Sequence, residues 1–250
     1  MSGSSGFPGG QPSGLRDAPR PHVPTPADSM AGRTLAGAAL ARVEEAATGR
    51  VRVEDYAAVL GAITGEAALV AAELFDVEAA TMAPGSAVFG DAINAKLSGD
   101  TADLAAAPID SVMGILVAAL VPHVAPLDAF GSLEGLYRHA AATIGAAPWG
   151  AVATTVPDDN RPTVLPLRVA YELRPAVDAA QAEAGLPVGL RHVPCALALA
   201  SGLGQVQRQG MDVRMPLRIA LEIAFGMAKM VPMSRRAFDA AARPESAGGQ

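Results

Sequence analysis

From about residue 31 the apolar positions fall three and four apart, the spacing that puts side chains on one face of a helix. Asp28 or Ser29 can cap a first helix from about Ala31 to Ala47, closed by Gly49. A second begins near Val53, where Tyr56, Val59/Leu60, Ile63, Ala67, Val70 and Leu74 keep the helical spacing. Pro84-Gly85 breaks the chain, and Ser86 can cap a short helix from Ala87 to Leu97, ended by Ser98-Gly99. Pro108 suits the first turn of a helix that stops at Val121 before Pro122. That helix is apolar nearly all round, which predicts a central position.

Ser132 caps a helix over Leu133–Ile144, and residues 148–162 form a long connection, with an extended piece at 151–156. Helices over 165–184, 190–209 and 215–231 follow, and a short one at 234–242 closes the pattern. The expected fold is all-α: a compact domain of eight or nine helices over 30–233, then a short helix and frayed tail over 234–250. Residues 1–29 are rich in Gly, Pro and Ser and have little to bury, so a disordered leader is expected. A start at Met30 explains the same pattern equally well.

Composition sharpens this picture. Half the residues are hydrophobic but only 4% are aromatic, so the core is built from small aliphatic side chains. Alanine-rich segments favour close-packed helices over sheets. The formal net charge is −6, and no basic stripe of the kind nucleic-acid binding needs is visible. The acids concentrate in residues 44–103, eleven against Arg50, Arg52 and Lys96, while 104–250 balance. That block reads as a solvated acidic face or as a surface for a basic partner.

One cysteine, Cys195, excludes an internal disulfide and a cysteine-based zinc site. No basic-then-apolar signal segment is present, and the longest apolar run is about half a membrane span. A cytoplasmic protein without a membrane span is expected.

The candidate chemistry is sparse. Arg168 and Glu172 are four apart on one expected helix, as are Arg218 and Glu222 on another. They sit in an echo, LPLRVAYEL at 165–173 and MPLRIALEI at 215–223. Four-residue spacing makes each pair neighbours. They read as solvated ion pairs or as a narrow polar stripe for a ligand or partner. His192 and Cys195 are three apart, a spacing that admits a thiolate–imidazole pair, although the apolar run after Cys195 points to a buried, inert thiol.

No metal-binding pattern, phosphate loop or nucleophile motif is present, so neither a metal nor another cofactor is expected. Methionines crowd residues 211–233, as core filler or as an apolar contact surface. These features favour a non-enzymatic helical adaptor or assembly subunit acting through protein partners or self-association. A binding module for a small, partly apolar ligand between helices is the alternative, and an enzyme of unrecognised helical type is a third.

Overall fold

The structure, a computed structural model, describes residues 20–47, 49–74, 76–99, 101–145 and 150–241. Most of the expected leader, residues 1–19, lies outside the described residues. Among those described the fold is all-α, with nine α-helices, a few 3-10 turns and no strand. The helices are α1 (Pro26–Ala46), α2 (Val53–Ala71), α3 (Asp91–Leu97), α4 (Val112–Leu120) and α5 (Leu133–Thr143). They continue with α6 (Pro166–Glu183), α7 (His192–Arg208), α8 (Arg214–Met227) and α9 (Arg235–Ala241).

The central helix is α2, and not the 108–121 segment that its hydropathy nominates. Every residue from Asp55 to Leu69 is buried, and α1, α3, α6, α7 and α8 pack around it. The side of α2 that meets α8 is lined by glycine. A Cβ on Gly61 would lie 2.5 Å from the Ala220 carbonyl oxygen, and one on Gly65 would overlap the Ala224 carbonyl. The two backbones therefore touch, which only residues without a side chain permit. By contrast, α4 is buried only through its first part and at Leu120, and leaves Ala118 and Ala119 exposed.

Local chemistry moves three boundaries. First, α1 starts at Pro26, five residues before the expected Ala31, because Thr25 and Asp28 form a capping box. The Asp28 N–H donates to Thr25 Oγ1 at 3.2 Å, and the Thr25 N–H donates to Asp28 Oδ2 at 2.7 Å. Second, α3 starts at Asp91 and not at Ala87, because 85–88 hydrogen-bond with 229–231 and Ala87 bridges Met230. Third, α4 begins after Ser111, whose hydroxyl accepts the Gly114 N–H, and Pro108 precedes it in a turn. Ser132 caps α5 as expected, accepting the Gly135 N–H at 3.0 Å.

The echo helices share a burial pattern. Leu167, Val169, Ala170 and Leu173 are buried on α6, as are Leu217, Ile219, Ala220 and Ile223 on α8. Among the described residues no single helix is long and apolar enough to cross a membrane.

Candidate functional site

A cleft of about 510 Å³ opens where the end of α1, the start of α2 and the end of α7 converge. Leu40, Val51, Val53, Tyr56, Val206 and Met211 give it an apolar lining. Glu44, Arg50, Arg52, Glu54, Gln205 and Gln209 supply its polar groups. Tyr56 anchors the floor. Its hydroxyl donates to the Ala36 carbonyl at 3.1 Å, and burial pushes the phenol up to about 12, so it stays protonated. The ring fits because Gly202 carries no side chain: a Cβ there would lie 2.8 Å from the Tyr56 oxygen.

The charges of this cleft divide into two sets. Arg52 donates to the Asp159 carbonyl and lies 3.7 Å from Glu54, which also accepts from Asn160. The side chains of Glu44, Arg50, Gln205 and Gln209 have no hydrogen-bond or ion-pair partner among the described residues. An apolar floor with a few convergent polar groups is the usual make-up of a small-molecule site.

A second, smaller cleft of about 280 Å³ holds one of the expected pairs, Arg218 and Glu222, with Thr155, His139, Asp128 and Ser132. Glu222 is buried. It accepts the Thr155 N–H at 2.8 Å, the Thr155 hydroxyl, and Arg218 Nε at 3.1 Å. The carboxylate thereby fastens the 150–165 connection onto α8. Asp55 does the same from α2, accepting the Thr163 hydroxyl at 2.9 Å and the Thr163 N–H. His139 pairs with the Ala153 carbonyl at 2.8 Å.

The other expected pair faces a different neighbour. Glu172 takes Arg168 Nε at 2.8 Å and Arg42 Nε of α1 at 2.7 Å. Burial works to raise this carboxyl, but the two guanidinium groups outweigh it and hold it below the usual range. Glu172 and Glu222 therefore bind different segments, and the two pairs do not meet in one site.

No hydrogen bond joins His192 to Cys195, although both lie in the first turn of α7. Cys195 is fully buried, and burial raises its thiol to about 12, so the thiolate is strongly disfavoured. His192 Nε2 instead reaches the Asp110 carbonyl at 2.6 Å.

Among the described residues, no group of three or more His, Cys, Asp or Glu is placed to hold a metal ion. Of the crowded methionines, Met227, Met230 and Met233 are core, while Met211 lines the larger cleft. The rest of that cleft was not signalled by any motif. It forms from helix ends distant in sequence, and periodicity within a helix does not report which ends meet. No protein family, curated protein or solved structure matches this chain.

Proposed function

We propose that the protein is a binding module for a small, partly apolar ligand held between α1, α2 and α7. The carrying observation is the cleft of about 510 Å³ with its apolar floor. Ligand sites typically span roughly 300–1,000 Å³. The uncommitted polar groups at Glu44, Arg50, Gln205 and Gln209 are the recognition elements, because binding them to a ligand breaks no internal bond.

Self-association is the second reading. Arg168 and Arg218 are more than half exposed, and both engage their carboxylates through Nε. Their outer nitrogens have no partner among the described residues, which leaves them available to a carboxylate on another chain.

One experiment sorts the two. Native mass spectrometry and a thermal-shift screen are run on the wild type, on Met211→Arg, and on the Arg168→Ala/Arg218→Ala double variant. Ligand binding predicts a compound that raises Tm in the wild type and in the double variant but not in Met211→Arg. At a hundredfold excess over Kd the added stability is about 2.7 kcal/mol. An equal shift in Met211→Arg, or no hit across chemically diverse amphiphiles, sinks the ligand reading. A concentration-dependent oligomer lost only in the double variant establishes the second.

A further inference from the structure

We infer that residues 20–25 form a pH-sensitive clasp across the shared end of α1 and α7. The two helices run side by side in the same direction. Gly32 lies against Leu197, and one turn on, Tyr56 spans Ala36 and Gly202. Their first turns, at Asp28 and His192, therefore lie at the same end.

Asp110 joins that end to the N-terminal segment. Its carboxylate accepts the His22 main-chain N–H at 3.1 Å, across 88 positions of sequence. Its carbonyl takes His192 Nε2 at 2.6 Å. The His22 ring in turn bonds Asp28 Oδ2 at 2.8 Å, and the same oxygen accepts the Thr25 N–H. Asp28 and His192 are both 1% exposed, and each keeps one atom without a partner among the described residues: Oδ1 of Asp28 and Nδ1 of His192.

Those bonds fix the protonation states. A carbonyl only accepts, so His192 carries its proton on Nε2, and in the neutral ring Nδ1 is a bare lone pair. A second proton would place a charge where no acceptor waits. The charged groups facing it are Asp110, Lys96 and His22. Asp110 favours the imidazolium, the two cations oppose it, and burial dominates, lowering His192 to about 4.

Asp28 behaves differently. Burial tends to raise its carboxyl, but the Thr25 N–H, the His22 ring and the Thr25 hydroxyl overcome this and hold it below its usual value. It therefore stays ionised while His192 titrates. A second proton on His192 instead buries a charge and an Nδ1–H with no acceptor among the described residues, and that cost favours release of this end.

The sign follows from linkage. In the open state His192 titrates at its ordinary value of 6.5, and in the closed state at about 4. Closure is at full strength above pH 6.5 and weakens as the pH falls through that window. Between neutrality and pH 5 the open fraction rises by about twentyfold from His192 alone.

The test is hydrogen exchange followed by mass spectrometry at pH 7 and pH 5, corrected for intrinsic rates. Protection of 20–32 and 188–196 is expected to fall by tens-fold while 55–69 and 214–227 keep theirs. His192→Gln retains an N–H donor but cannot take a proton, so its protection at this end should not change with pH. Unchanged wild-type protection, an equal loss throughout α2 and α8, or wild-type pH dependence in His192→Gln overturns the clasp. Should His192→Gln fail to fold, an NMR titration of the wild-type His192 ring decides. A midpoint near 4 supports the clasp, and one near 6.5 with residues 20–32 still protected overturns it.

Discussion

A single methyl group is more than the contact at Gly65 accommodates. Its Cβ would overlap the Ala224 carbonyl and lie 2.7 Å from Met227 Cβ. Because one obstacle is backbone, relief requires α2 and α8 to part. Overpacking of this kind costs about 1–3 kcal/mol, and Gly65→Ala is expected at the upper end. Gly37 on α1 is the control: nothing lies within 4 Å of a Cβ there. Gly37→Ala should stabilise by about 0.5–1 kcal/mol through helix propensity. Urea midpoints of the two variants moving in the same direction would refute this account of the seam. Hydropathy patterns weigh side chains, so a helix that owes its central place to glycine and alanine is underrated by them. That is why the sequence pointed to 108–121 instead.

Among the elements, the signals that could be read were caps and breakers. Ser132 and the Ser98-Gly99 stop act where the sequence puts them. The Thr25-Pro-Ala-Asp28 capping box was equally present in the sequence but lay inside a stretch whose composition read as disordered. Composition averages over a window, whereas a cap is set by two side chains. The pairing of 85–88 with 229–231 joins positions about 140 residues apart, and no local pattern encodes it.

The last helix, α9, depends on similarly distant partners. Phe238 stacks on Tyr171 with ring centroids 4.5 Å apart. The Arg235 N–H donates to Glu78, which also pairs with Arg174, while Arg174 ties Glu66 of α2 to the Met233 carbonyl. An aromatic pair contributes about 0.5–1.5 kcal/mol beyond its buried area. Phe238→Ala should therefore release α9 alone, seen as faster proteolysis within 234–241 at nearly unchanged Tm. A Tm drop comparable to a core substitution would show that α9 is integral to the cooperative unit.

For the molecule as a whole, the all-α class was legible from periodicity and composition, but the meeting places of the helices were not. The larger cleft needs the ends of α1, α2 and α7 to coincide, and Glu172 and Glu222 take Arg42 and Thr155, partners that the four-residue spacing of the Arg-Glu pairs does not name. Both outcomes are set by long-range packing. The backbone contact between α2 and α8 also bears on volume. Unfolding under pressure is driven by the internal voids it eliminates. A seam closed by touching main chains leaves few of them, and the large cleft, being open to water, adds none. The volume change of unfolding should fall near −20 mL/mol, at the small end of the range of about −20 to −100 mL/mol. High-pressure NMR would measure it, and a value near the large end would mean the seam is looser than its glycines imply. A protein built this way would yield to heat or acid well before it yielded to compression.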